Sequence, residues 1–271
     1  MEKLPSRSEP ISKKIESKTI KNLAEPITSI IEKMKQNIDT GKYSLIIGDD
    51  ASGRIPSLAI RGVINKAYEQ SGREPIDTRF LALYPLVGLT NYNKAWKSLR
   101  WTINPLKLFQ RLGQEESEIN LKLAKEKIKN EFIKNLPSNL TRDGKRVLIV
   151  TELINTGSSL APLLEALRES NIPFEIATLN FIDFGTERKL QKAGAENIHL
   201  GGQPYIAISQ QKNLSGVIKD PNTFKLSTKP YKTVGAESNS DQLKIQRDLN
   251  SARTDVKKLS DSIYAAVWDK Q

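Results

Sequence analysis

The sequence predicts an α/β protein built on a parallel sheet, because short apolar runs alternate with helical patterns along most of the chain. The two clearest runs are residues 44–48 and 147–150. A helical spacing of apolar residues follows each of them. The composition agrees with a folded domain, since 38% of the 271 residues are hydrophobic, and that is enough for a large core.

The elements follow in order along the chain. Residues 1–18 are polar and of mixed charge, and we expect a flexible N-terminus there. Residues 19–200 form the predicted core, with a basic, aromatic-containing insertion at 86–113. Glycine and proline interrupt residues 201–238, which we expect to be irregular, and residues 239–271 predict a C-terminal helix. Within the core we predict helices at 19–38, 57–70, 115–136, 159–170 and 186–193, and strands at 43–48, 78–84, 146–151, 174–183 and 197–200.

Composition and missing motifs exclude several classes of protein. The chain has no cysteine and one histidine, His199, so disulfides, thiolate metal sites and a cysteine nucleophile are excluded, and zinc binding is disfavoured. No apolar run approaches the roughly 20 residues of a membrane span, and no signal peptide is recognisable. We therefore expect a cytoplasmic protein with no membrane partner. Phosphate-loop NTPase, dinucleotide-fold and nucleophile-elbow motifs are all absent.

The most informative segment is residues 147–160. An apolar strand leads into Thr151 and Glu152, then an apolar pair, and then a loop of small and hydroxyl-bearing residues. Backbone N–H groups of such a loop and of the next helix converge on one spot, where the helix dipole adds positive potential. The segment therefore predicts a phosphate-binding loop, with Glu152 placed to hold sugar hydroxyls. The alternative is an ordinary strand-to-helix turn capped by Ser158 or Ser159.

A second segment, residues 49–56, has the same character. It follows the first apolar strand, and its glycine and proline predict a polar loop that ends where the helix at 57–70 begins. Arg54 in this loop is suited to pair with phosphate oxygens as a planar fork. The alternative is a plain β–α turn with Arg54 on the surface. Asp49 and Asp50 are adjacent acids, which more often cap a loop than bind metal, so no metal ligand is assigned.

The first segment resembles the phosphoribosyl-pyrophosphate (PRPP) motif of type I phosphoribosyltransferases. That motif is an apolar strand, two acidic residues, two apolar residues, Asp-Thr-Gly and a Ser/Thr-rich end. This chain matches it at Glu152, Thr156 and Gly157, and carries Thr151 in place of the first acid and Asn155 in place of the Asp. The second segment takes the position of the pyrophosphate loop in that family, so the resemblance covers roughly residues 40–200.

The resemblance implies a type I phosphoribosyltransferase-like core with helices on both faces of the sheet, a small hood over the acceptor base, and dimers. It implies transfer of ribose 5-phosphate from PRPP to a nitrogenous base with release of pyrophosphate, and Mg²⁺ held mainly by the ligand. Glu152 would be the catalytic residue. The 5′-phosphate would be bound by Thr151, Asn155, Thr156, Gly157, Ser158 and Ser159, and the pyrophosphate by Ala51, Ser52, Gly53 and Arg54.

The charge of the chain leaves other functions open. The formal net charge is +11, and residues 91–146 hold 13 Lys and Arg against 6 Asp and Glu. Aromatic residues interleave with these cations, a pattern typical of single-stranded nucleic-acid binding. Alternatively, the aromatics pack on the domain while the lysines stay in water. Because Thr151 and Asn155 depart from the motif, a non-catalytic PRPP- or nucleotide-sensing regulator, a nucleic-acid-binding protein and an accessory assembly protein remain alternatives on the same fold.

Overall fold

The computed structural model describes residues 15–81, 122, 125–137, 140–154, 157, 159–181, 185–202, 226–227 and 239–269. The helices are α1 Lys18–Lys21, α2 Ala24–Asp39, α3 Asp50–Gln70, α4 Ala161–Glu169, α5 Thr186–Lys192 and α6 Asn239–Trp268. The strands are β1 Tyr43–Asp49, β2 Asp77–Leu81, β3 Arg146–Ile154, β4 Phe174–Phe181, β5 Ile198–Leu200 and β6 Leu226–Ser227.

These strands form one sheet in the order β5-β4-β3-β1-β2-β6. The five strands from β5 to β2 are parallel, and the two-residue β6 pairs antiparallel with β2. The central strands are nearly continuous runs of Val, Ile and Leu because parallel strands are covered on both faces. The predicted α/β class with a parallel sheet is confirmed.

Helices cover both faces of this sheet, as expected. Side chains alternate between the faces along each strand. Ile46, Leu148 and Val150 belong to the core under α2, α3 and α6, whereas Ile47 and Ile149 belong to the core under α4 and α5. Two buried apolar cores therefore enclose the sheet, and its strand ends are where polar side chains collect.

The strand order creates a switch point between β1 and β3. From β1 the chain passes through α3 to β2 on one side, and it later returns to the other side of β1 to form β3, β4 and β5. In open α/β sheets, ligands bind outside the carboxyl ends of the strands at such a point. The two predicted phosphate-binding segments follow β1 and β3, so both lie there.

The C-terminal helix is confirmed, and it holds the N-terminal end of the described chain. α6 packs along α3, where the Ser260 hydroxyl donates to the Ala59 carbonyl at 3.0 Å. The buried carboxylate of Asp255 accepts the backbone N–H groups of Glu16 and Ser17 at 3.1 and 2.8 Å. Ile15 is also buried. The chain is therefore attached from residue 15 onward, earlier than the predicted boundary at residue 18.

Other predicted elements differ in detail. The predicted helix at 19–38 is split into α1 and α2, and the predicted helix at 115–136 ends in a π-helical turn, Ile128–Phe132, and a 3₁₀ turn, Ile133–Asn135. The insertion at 86–113 lies outside the described residues. So does the predicted hood at 201–238, apart from residues 201–202 and β6. Among the described residues, no helix is both long and apolar enough to cross a membrane.

Candidate functional site

The carboxyl ends of β1 and β3 bring two buried acidic residues to the switch point. Gly48 pairs with Val150 in the register of these strands, so the next residues, Asp49 and Thr151, are neighbours. The Thr151 hydroxyl donates to the Asp49 carboxylate at 3.4 Å. Asp49 is 6% exposed, and Thr151 and Glu152 are each 2% exposed. The predicted catalytic glutamate therefore lies within the buried end of β3 rather than in the loop beyond it.

The two acids lie on opposite faces of the sheet. Alternation along β3 places Glu152 on the face of Leu148 and Val150, which α3 covers. Asp49 and Thr151 lie on the other face, which α4 covers. The site therefore has a carboxylate on each side of the sheet, at the point where the two covering helices begin.

The predicted loop at 49–56 is wrong, because α3 begins at Asp50, directly after β1. Residues 51–54 therefore lie in the first turns of a helix. Gly53 was predicted to lie in a pyrophosphate-binding loop, but it lies in the helix, where a methyl group would be 2.4 Å from the Val150 carbonyl oxygen. Its role is to let α3 approach β3 closely. Pro56 sits inside the helix and is buried.

The start of α3 remains suited to an anion despite this correction. Asp49 occupies the N-cap position, yet its side chain makes no capping hydrogen bond. The carboxylate instead accepts from Thr151 across the strands. The N-terminus of a helix carries partial positive charge and N–H donors that favour phosphate. Ala51 and Ser52, predicted to bind pyrophosphate, supply backbone to these turns.

Arg54 is buried, which contradicts the alternative that it lies on the surface. It is only 7% exposed, and its guanidinium carbon lies 4.3 Å from the centroid of the Phe80 ring. Phe80 belongs to β2 and pairs in register with Gly48. The sequence analysis did not identify Phe80, because a single aromatic in a strand carries no signal of its own.

The predicted segment at 147–160 leads from β3 to α4, and between these elements the structure describes Gly157, Ser159 and Leu160. Gly157 has φ +78°, a left-handed conformation that favours glycine. Its carbonyl accepts the N–H groups of Leu160 and Ala161 at 3.1 and 3.2 Å. The N-cap of α4 is Leu160, which makes no side-chain capping hydrogen bond. Asn155, Thr156 and Ser158 lie outside the described residues, and Ser159 is half-buried.

The sequence analysis also missed a row of hydroxyls that continues from Thr151. Thr178 of β4 pairs in register with Thr151 and is fully buried. Its hydroxyl donates to the Asn180 carbonyl at 3.1 Å. Asp49, Thr151 and Thr178 thus form a polar row across β1, β3 and β4. The signal available in the sequence was Thr178 itself, a polar residue within the apolar run of β4.

A second buried polar cluster lies at the amino end of the sheet, centred on Glu175 of β4. Its fully buried carboxylate accepts from the Tyr43 hydroxyl at 2.5 Å and from Arg146 Nη1 at 2.6 Å. Asn37 Nδ2, Asn197 Nδ2 and His199 Nε2 lie 3.1, 2.8 and 2.8 Å from its oxygens. Burial opposes ionisation, but hydrogen bonds from His199, Tyr43, Asn197 and Arg146 outweigh it and lower the pKa of Glu175 to about 2.

Some of the basic residues in segment 91–146 are engaged by acids of the fold. Lys125 pairs with Glu169 at 2.7 Å and with Glu165 at 3.6 Å, and Lys129 pairs with Glu169 at 3.1 Å. These ion pairs join the segment to α4. The aromatic part of the segment, residues 91–121, lies outside the described residues, so the nucleic-acid hypothesis stays a prediction.

No protein-family model, curated protein or solved structure matches this chain. The candidate site is therefore defined by its own geometry: two acids, a row of hydroxyls, a buried arginine and two helix starts at one switch point.

Proposed function

We propose that this protein binds PRPP at the switch point and transfers its ribose 5-phosphate to a nitrogenous base. The observation that supports the proposal is the strand order, because β1 and β3, which lead into the two predicted phosphate-binding segments, are neighbours in the sheet. Neighbouring strands lie about 4.8 Å apart, so one small ligand carrying two phosphate groups can reach both segments. PRPP carries a 5′-phosphate and a pyrophosphate.

Each end of the ligand has a suitable position. The pyrophosphate is assigned to the start of α3, with backbone from Ala51, Ser52 and Gly53 and the guanidinium of Arg54. The 5′-phosphate is assigned to the turn at Gly157 and the start of α4, whose first turn has no acidic residue. Positive helix ends on both sides of the ribose suit a ligand that is anionic at both ends.

The proposed reaction breaks the bond between ribose C1 and a pyrophosphate oxygen and forms a bond from C1 to a base nitrogen. Pyrophosphate leaves, and the base nitrogen loses its proton. Positive charge develops on the ribose in the transition state, and the Glu152 carboxylate is assigned to stabilise it and to orient the ribose hydroxyls. Holding both phosphates fixes the ribose between donor and acceptor, which supplies much of the rate enhancement.

The residues at this site fit a magnesium ion that arrives with the ligand. Mg²⁺ binds oxygen ligands and commonly uses one or two carboxylates together with substrate phosphates. Asp49, at the start of α3 where the pyrophosphate is assigned, is a carboxylate of this kind, and the described residues contain no group of three or more potential metal-ligating side chains. When bound, the ion neutralises charge on the leaving pyrophosphate.

A PRPP- or nucleotide-sensing protein without turnover is the second candidate. Thr151, in place of the first acid of the motif, is buried and directed at Asp49. This threonine therefore links the ends of β1 and β3, but it does not supply the negative charge that an acid would bring to this position. This arrangement is compatible with binding in the absence of chemistry.

Calorimetric titration with PRPP and Mg²⁺, followed by an assay of pyrophosphate release with purine and pyrimidine bases, tests the proposal. We expect binding by the native protein and none by Gly157→Trp, because a bulky residue cannot adopt φ +78° there. Glu152→Ala should abolish turnover, whereas Glu69→Ala, an exposed change at the far end of α3, should not. Binding without turnover favours the sensor. No binding of PRPP contradicts the transferase and a PRPP sensor, and directs the search to nucleotides and to the basic segment.

A further inference from the structure

Phe80 lies against the candidate site, and the proposed function assigns it no role. It stands on β2 and pairs with Gly48 in the register of β1 and β2. A Cβ at Gly48 would lie 2.7 Å from ring atom Cδ1 of Phe80 and 2.6 Å from the Ser57 hydroxyl oxygen. The ring therefore occupies space over β1 that only a glycine at position 48 leaves open.

The Phe80 ring fixes the position of the Arg54 guanidinium. The 4.3 Å separation of the guanidinium carbon from the ring centroid is well within the roughly 6 Å over which a cation interacts with an aromatic face. Arg54 is 7% exposed, so water screens this attraction little. The stack restricts an otherwise flexible side chain before any ligand binds, which reduces the entropy lost on binding.

The chemistry of Arg54 suits an anion. The five N–H donors of a guanidinium lie in one plane, and phosphate oxygens are bound by pairs of such donors. A cation–π contact is electrostatic, so it keeps both the charge and this planar set of donors. An arginine whose guanidinium is held over a ring is therefore suited to bind a phosphate group.

We propose that Phe80 is a positioning residue that orients Arg54 for the pyrophosphate group of the ligand, with Gly48 making room for the ring. This inference rests on the proposed function, because it assigns the phosphate end of the same ligand. It adds a residue on β2 to a site so far built from the segments after β1 and β3.

The test is calorimetric titration of four full-length proteins with inorganic pyrophosphate and Mg²⁺: native, Phe80→Leu, Phe80→Tyr and Phe132→Leu. We expect Phe80→Leu to weaken binding about 5-fold, because the ring acts on the ligand only through Arg54 and the effect is therefore smaller than the loss of a whole desolvated cation–π contact. Phe80→Tyr keeps the ring and should restore the native affinity. Phe132→Leu removes a buried ring from the core under α4 and should leave the affinity unchanged. Phe80→Met takes the place of Phe80→Leu if the leucine variant does not fold.

A double-mutant cycle with Arg54→Gln separates positioning from packing. If Phe80 acts through Arg54, Phe80→Leu should have little effect once the guanidinium is gone. An equal loss in both backgrounds would overturn the inference and leave the proposed function standing, as would native affinity in Phe80→Leu. Absence of pyrophosphate binding by the native protein would overturn both.

Discussion

The two ends of the sheet each bury a glutamate, and the two glutamates are held in different ways. At the amino end, Glu175 accepts from five side chains at 2.5 to 3.1 Å. These donors come from α2, β1, β3, the residue before β5, and β5 itself. At the carboxyl end, Glu152 lies on one face of the sheet, and Asp49 of the neighbouring strand lies on the other, where it accepts from Thr151 at 3.4 Å. Two helix starts and a stacked arginine complete that end.

The comparison teaches that burial of a charged group does not by itself mark a functional site. Glu175 is surrounded by donors that neutralise and satisfy it, as a buried carboxylate requires. Burial and the nearby Glu175 charge both raise the pKa of Tyr43 above its ordinary value, which keeps its hydroxyl as a donor. The network joins elements of the fold. By contrast, the charged side chains at the switch point lie at the carboxyl ends of the strands, where parallel sheets bind ligands.

Glu175→Gln should have the largest effect on stability. The change leaves the half-buried Arg146 without its partner on β4 and replaces a fully buried carboxylate, and such losses cost about 3 kcal/mol. Glu196→Gln is the matched control, because Glu196 also pairs with Arg146 at 2.7 Å but is 41% exposed. That change should cost less than about 1 kcal/mol. Chemical denaturation measures both, and equal effects would contradict a structural role for the Glu175 network.

Acid should weaken the fold through the same residue. The pKa of Glu175 falls from 4.5 to about 2 on folding, so its ionised form contributes stability above pH 4.5 that is lost as the pH falls toward 2. The contribution is about 3 kcal/mol for a shift of this size. Unfolding free energies measured across this window should fall more steeply for the native protein than for Glu175→Gln. Parallel pH profiles would disprove the assignment.

Compared with Glu175→Gln, Asp49→Asn should have a smaller effect on the stability of the fold and a larger effect on ligand binding. The amide oxygen still accepts from Thr151, so we expect a loss of less than about 1 kcal/mol. Removing a negative charge at the start of α3 should tighten binding of metal-free pyrophosphate, because like charges repel. Titration with pyrophosphate in the absence of Mg²⁺ measures this change. An unfolding loss as large as that of Glu175→Gln would mean that the two ends of the sheet do not differ.

The sequence predicted much of the fold because the relevant signals are local. The apolar runs of β1, β3 and β4 and the periodicity of α6 were visible in the chain. It also indicated Gly157 as a loop residue, but not the left-handed backbone that the structure shows there. The start of α3 was misplaced, because Gly53 and Pro56 usually break helices and the close contact of Gly53 with Val150 is not visible in sequence. The PRPP assignment itself stays a prediction.

The sequence by itself determined which segments form strands and helices, the absence of cysteine chemistry, and the two polar segments that follow apolar runs. These properties depend on composition and on periodicity within about ten residues. Only the tertiary structure decided that Asp49 contacts Thr151, that Phe80 stacks on Arg54, and that Glu175 collects five donors. Those contacts join residues far apart in the chain, and strand order and packing across the sheet, rather than local preference, bring them together.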